Sequence, residues 1–224
     1  MPDLVWGALP NVRDIGGAGA VPLGRVIRSP RLDELDDLSL LTSAGVRTVI
    51  DLRNADEVSD RALPEGVVRV ACPVEDPSDA DFLERWRGRL NSPAYYEWVL
   101  ERWPGRFVAV FRAIAAAPEG AVLVHCAGGR DRTGLIVAML LQLAGVDDDD
   151  IVADYAAGVR AMNEHFARSE RPHEPPRDAE SLDAWVTETS DLLRGVLARI
   201  ESETYLLHHG LTREDLGAIR ARLR

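Results

Sequence analysis

Cysteine is scarce: the 224 residues hold two, Cys72 and Cys126. Two thiols cannot build the framework of bridges that staples small secreted domains. A reducing compartment is therefore expected, and a cysteine here stands for chemistry or core packing. Any surplus of positive charge is missing as well. With 26 basic against 37 acidic side chains the formal net charge is -11, which argues against the broad basic face that nucleic acid or an anionic membrane would require. An anion site must then be local. No apolar run approaches the roughly 18 residues that span a bilayer, and the N-terminus MPDLVWGALP has no basic stretch leading into an apolar core. Integral membrane association is not expected, and a cytoplasmic location is. Without internal repeats or long linkers, one domain over 1–224 is expected.

The residues that are present alternate between strand and helix patterns. Residues 11–19 (NVRDIGGAG) are rich in glycine and polar side chains and read as a turn with unusual backbone angles. Helical spacing over 32–44, stopped by Gly45, is followed by a strand pattern over 46–52. A second strand pattern, 67–74, runs into the acidic stretch 75–79. The segment 81–103 is helical but irregular, carries Trp86, Trp98 and Trp103, and breaks at Ser92-Pro93; it is expected as a lid insertion covering a site. A helix follows over 106–117, then a short apolar strand over 121–124, of the kind buried on both faces of a mainly parallel sheet. Residues 135–143 are apolar almost all round and predict a buried helix. The remainder is helical over 151–168, broken by prolines at 171–176, helical again over 182–201 and from Thr212. The expected fold is a three-layer α/β domain, a central mainly parallel sheet flanked by helices with a helical C-terminal part.

Between the last strand and the buried helix, residues 125–134 read HCAGGRDRTG. A strand, a glycine-containing loop and a helix N-terminus form a cradle whose amides converge on one anion, and a phosphate fits it. Gly128 and Gly129 supply positive φ angles and close backbone approach, and Ala127, Arg130 and Thr133 complete the phosphate-binding set. Cys126 opens the cradle, where inward amides, the helix dipole and Arg132 favour thiolate over thiol. Arg132 can fold back and grip two phosphoryl oxygens with its planar fork. Thr133 can hydrogen-bond the sulfur, and His125 supports the loop through its ring. A general acid is still needed for the leaving oxygen. Asp131 is the first choice; Asp76 and Asp79, beyond the second strand, are the alternatives. Neither a cofactor nor a metal is called for.

The stretch HCAGGRDRTG resembles the signature loop of the protein tyrosine phosphatase superfamily, His-Cys, five residues, then Arg-Thr or Arg-Ser. Three further pieces, Asn11-Val-Arg-Asp-Ile-Gly-Gly17, Arg28-Ser29 and Asp51-Leu-Arg53, are similar to markers of the bacterial tyrosine/serine and dual-specificity phosphatases that also act on phosphoinositides. With Gly210-Leu-Thr-Arg-Glu-Asp-Leu216 the resemblance covers nearly the whole chain. It implies Cys126 as nucleophile, Arg132 as phosphate ligand and Asp131 as acid. One departure stands out: the family loop usually reads Gly-Lys-Asp-Arg, with the lysine associated with phosphoinositide recognition, whereas this chain has Gly129-Arg130-Asp131-Arg132. Arginine keeps the charge but changes the donor geometry.

A phosphotyrosine-containing protein or a small phosphomonoester is the expected partner. A phosphoinositide phosphatase of the same mechanism and a non-catalytic phosphate-binding module are the alternatives. Elsewhere the plainer readings lead. Cys72 sits in an apolar strand and reads as a buried structural thiol, ahead of a redox partner for Cys126. Residues 11–17, Asp14 included, read chiefly as a brace beside the loop, and Arg53 as half of a structural salt bridge. The four carboxylates 147–150 open a predicted helix and suit capping and its dipole better than a metal.

Overall fold

The computed structural model describes all residues, 1–224. Five strands form one sheet: β1 Arg13–Asp14, β2 Val26–Ser29, β3 Val46–Asp51, β4 Val68–Ala71 and β5 Ala121–His125. They lie in the order β1-β2-β5-β3-β4. Only the β1–β2 pair is antiparallel, and β2, β5, β3 and β4 run parallel. The apolar run behind β5 matches its central place, since all its residues are buried. Its side chains alternate: Val122 and Val124 enter the larger core of 43 buried residues, while Ala121 and Leu123 enter a smaller one of 12.

Nine α-helices cover the sheet: α1 Ser39–Ser43, α2 Ala80–Trp86, α3 Tyr96–Arg102, α4 Pro104–Ala116, α5 Asp131–Leu143, α6 Asp148–Arg168, α7 Ala179–Arg199, α8 Ser202–His208 and α9 Arg213–Arg222. Helices α3 to α7 feed the larger core, while Trp6, Leu9, Leu32 and Leu41 close the smaller one. The expected helix over 135–143 starts four residues earlier, because the loop itself forms its first turn. It is apolar on every side, packing Ile136, Leu140 and Leu141 away from solvent entirely. No helix is long and apolar enough to cross a membrane.

Several elements differ from their sequence patterns for local reasons. The expected helix over 32–44 divides into a 3-10 turn, Leu32–Glu34, and α1. Between them the Asp37 carboxylate accepts the Ser39 N–H at 2.9 Å, a side-chain bond that competes with helical continuation. The strand expected over 67–74 pairs only through Ala71; Cys72 N–H still reaches the Asp51 carbonyl at 2.8 Å, but Pro73 has no donor to continue. Strand β2 was hidden because two of its four fully buried residues are Arg28 and Ser29, which break any apolar pattern. Helix α8 was also missed. Asp147 takes the N-cap position of α6 but makes no capping bond through its side chain, so the acidic run serves the helix dipole, with Asp149 paired to Arg194 at 2.5 Å.

The segment 81–103 folds as α2, a 3-10 turn at Pro93–Tyr95, and α3. An aromatic cluster docks it: Phe82 lies 5.0 Å from Trp103 and 5.5 Å from Trp98, ring centre to ring centre. Tyr95 and Tyr96, both fully buried, extend the cluster into the core.

Candidate active site

The loop of residues 126–130 leaves β5 at the carboxyl end of the parallel strands, with β2 on one side and β3 on the other. Ligands of open α/β sheets gather at such a point. Three successive loop carbonyls are held. Ala127 accepts the Arg31 N–H at 2.9 Å, Gly128 accepts Asn11 Nδ2 at 3.3 Å, and Gly129 accepts Asn11 Nδ2 at 2.9 Å and Arg28 at 2.6 Å. In a trans peptide the carbonyl and the following N–H point in opposite directions. Pinning these oxygens therefore turns the amides of Gly128, Gly129 and Arg130 the other way, and they donate to no acceptor of the chain. Ahead of them stands the N-terminus of α5.

Of the two glycines expected to be essential, one is. Gly129 has φ +64°, and a Cβ there would sit 2.5 Å from the Ser29 carbonyl carbon and 2.6 Å from the Pro30 nitrogen. Gly128 has no positive φ, and its added Cβ would only touch Met162 at 3.5 Å. Gly129→Ala should lower the melting temperature by about 4 °C or more, from left-handed strain plus overlap, whereas Gly128→Ala should change it by about 1 °C. Differential scanning calorimetry of the two variants checks this contrast.

The brace behind the loop is a buried ionic network. Arg13 Nε donates to Asp154 Oδ1 at 3.0 Å, Arg28 is paired to Asp154 Oδ2, and Arg13 also holds the Asn11 oxygen. Burial works against the ionised form of Asp154, but the charges of Arg28 and Arg13 outweigh it and hold the carboxyl below its usual range. Asn11 itself takes the left-handed conformation at φ 57°, which asparagine tolerates better than most residues. The expected brace over 11–17 thus acts through Asn11 and Arg13. Asp14 does not touch the loop: its carboxylate accepts the N–H groups of Gly16 at 2.8 Å and Gly24 at 2.6 Å, closing the turn between β1 and β2.

The front of the loop opens on a cleft of about 380 Å³ lined by Cys126, Ala127, Gly128, Arg130, Asp131 and Arg132, among others. A wider hollow of about 650 Å³ between α2 and α3 contains none of the loop residues. Cys126 is 3% exposed. Arg132 donates two bonds to Glu57, at 2.6 and 2.7 Å, and its Nε lies 3.7 Å from Glu75. Although burial opposes it, the Glu57 bonds and the charges of Cys126 and Glu75 push the Arg132 guanidinium well above its ordinary value. Burial raises Glu75, with the charge of Arg132 pulling only partly back. Asp131 is enclosed: Oδ1 accepts the Tyr155 hydroxyl at 2.8 Å, Oδ2 accepts Arg130 Nε at 2.8 Å, and its carbonyl accepts the Tyr96 hydroxyl at 2.9 Å.

His125 is buried, and burial pushes it down to about 4 despite Asp51 nearby, so the ring is neutral. Its Nδ1 donates to the Cys126 carbonyl at 3.1 Å, fixing the strand-to-loop corner. Thr133 departs from expectation: its hydroxyl is fully buried and makes no hydrogen bond, to the sulfur or anything else. Asp76 and Asp79 lie outside the cleft. Asp76 binds Ser78 and Arg106, while Asp79 caps α2 through the Phe82 N–H and pairs with Arg102 at 3.0 Å. Arg53 makes the expected structural pair, with Asp51 at 2.8 Å and with Asp33. Burial raises the Cys72 thiol to about 11, with the charge of Asp51 adding to it.

Glu57, Glu75, Tyr155 and Glu174 were not singled out by the sequence. Glu75 lay in the acidic stretch 75–79 and Glu174 in the proline break at 171–176, but nothing in either stretch tied the residue to the loop, whereas Asn11 and Arg28 lay inside pieces already marked as similar to family markers.

The chain is similar to several known proteins. A tyrosine-protein phosphatase of Nostoc commune is 28% identical over 227 residues, covering 92% of this chain and 76% of its own. The triple specificity protein phosphatase PtpB of Mycobacterium tuberculosis is 28% identical over 248 residues, covering 96% and 90%. Among solved structures, P. aeruginosa TpbA aligns over 88% of this chain and 95% of its own at 23% identity, with a TM-score of 0.42. The model of the tyrosine phosphatase family matches residues 4–224, and the chain belongs to that family.

Proposed function

We infer that this phosphatase hydrolyses phosphomonoesters through a phosphocysteine on Cys126, with phosphotyrosine in proteins as its leading substrate. The observation that carries this reading is the pinning of the Ala127, Gly128 and Gly129 carbonyls, which leaves the following amides free for phosphoryl oxygens in front of a buried thiol. The sulfur attacks phosphorus in line with the leaving oxygen. The P–O bond breaks, and Asp131 gives that oxygen a proton. Water then attacks the phosphocysteine, Asp131 takes its proton, the P–S bond breaks, and orthophosphate departs.

Arg132 serves the charge that spreads over the equatorial oxygens. Glu57 uses two of its N–H bonds and fixes the guanidinium plane, so the remaining donors are held ready for phosphate. Arg130 Nε and the Tyr155 hydroxyl each hold one oxygen of the Asp131 carboxyl and fix its plane at the cleft. Asp131→Asn should lower kcat on phosphotyrosine by about 10²- to 10⁴-fold and leave hydrolysis of a dinitrophenyl phosphate, whose leaving group needs no proton, within about tenfold. Initial rates on both substrates check it. The same leaving-group dependence appearing in Glu75→Gln and not in Asp131→Asn would move the acid to Glu75.

The phosphoinositide reading uses the same chemistry and differs in the occupant of the cleft. Comparing metal-free rates on a phosphotyrosine peptide, a phosphoserine peptide and a phosphoinositide ranks the two.

A further inference from the structure

We propose that Glu174 is a specificity-determining residue that keeps a second phosphate out of the cleft by occupying Arg130. This rests on the phosphatase reading above and deepens it. All 26 basic residues of the chain are arginines, and every arginine facing the cleft is already held by carboxylate. Arg31 pairs with Glu34 at 2.6 Å, Arg132 with Glu57 at 2.6 Å, and Arg130 with Asp131 at 2.8 Å and Glu174 at 2.6 Å. Five cleft carboxylates, with Glu75, therefore face three guanidinium groups. A single phosphoryl group still finds the free amides and the spare donors of Arg132. Arg31, His165 and His173 also line the cleft, but Arg130 is the guanidinium carried by the loop itself, and a second phosphate that used it would have to displace Glu174.

Glu174 is built to resist that displacement. Asn91 Nδ2 donates to its Oε2 at 2.9 Å from the segment between α2 and the turn at Pro93–Tyr95, and Arg177 lies at 3.9 Å. Pro175 and Pro176 follow immediately, so the backbone at Glu174 is biased toward extended angles and little freedom remains. Burial opposes its charge, yet Arg130 holds the carboxyl below its usual range. Its position 44 residues from Arg130 makes it a device of the tertiary fold, a repulsive element set against one class of ligand.

The test uses the full chain with Cys126→Ser, titrated calorimetrically with an inositol monophosphate and with an inositol bisphosphate carrying phosphates on neighbouring carbons. Adding Glu174→Ala should tighten the bisphosphate by about tenfold or more relative to the monophosphate, and adding Arg130→Ala should abolish that gain. Glu174→Gln, which keeps the shape and loses the charge, should reproduce most of it. An unchanged ratio in both Glu174 variants, or a gain that survives without Arg130, would overturn the proposal. Because these are binding measurements on the serine form, they read Glu174 whether or not the wild type turns over phosphotyrosine; failure of turnover would instead strike the phosphatase reading.

Discussion

Replacing Cys126 with serine is expected to reduce phosphotyrosine hydrolysis by about 10⁴-fold or more, while the protein stays folded and still binds phosphate esters. A serine hydroxyl in the same place is a far poorer nucleophile because its proton is held much more tightly than that of a thiol. The amides pinned by Asn11 and Arg28 and the guanidinium fixed by Glu57 do not depend on the sulfur, so substrate affinity should survive. Wild-type activity should persist in a chelator and fall in vanadate, a tetrahedral oxyanion that becomes trigonal bipyramidal when the sulfur adds to it and so matches the geometry those donors are arranged for. Initial rates with both additives, and calorimetric binding to the serine form, check the set. A divalent-metal requirement, or activity retained by Cys126→Ser, would remove the covalent mechanism.

The largest effect on stability should come from a residue that never touches the cleft. Asp154→Ala is expected to cost about 3–5 kcal/mol, because Arg13 and Arg28, with side chains 3% and 0% exposed, would be left as buried charges without a partner. The loss should reach the chemistry too. Arg28 and Asn11 hold the Gly129 carbonyl, so loosening them frees the amides that face the phosphate, and KM should rise at temperatures well below unfolding. Urea denaturation and steady-state kinetics at low temperature separate the two consequences. Should the alanine variant fail to fold, Arg28→Lys, which keeps the charge and loses the second contact, gives a milder version of both.

The pH dependence follows with a definite sign. Since the folded-state pKa of Asp154 is held below its unfolded value, its contribution is complete above the ordinary carboxylate range and is lost as pH falls through the folded value. His125 acts in the same direction at higher pH. Lowered from 6.5 to about 4 by burial, it takes up a proton on unfolding between those values, so stability falls as pH falls across that window. Denaturation curves between pH 7 and pH 4 should therefore move steadily to lower urea.

The sequence by itself determined the chemistry and the layers around it. HCAGGRDRTG is contiguous, so the thiol, the helix N-terminus and the arginine are brought together by local geometry alone; the run 121–124 and the apolar helix after it declare their burial through composition. What lay beyond reach were the partners of that loop. Asn11 meets it across 118 residues, Arg28 across 101, Glu57 across 75, and Glu174 reaches Arg130 across 44. A single polar side chain carries no periodicity, and a pair so far apart has no spacing to read. Asp76 and Asp79 stood behind Asp131 as alternatives, and the structure ties one to Ser78 and Arg106 and the other to a helix cap. Only the assembled sheet, with β5 inserted between β2 and β3, decides which carboxylates face the cleft and which merely hold the chain.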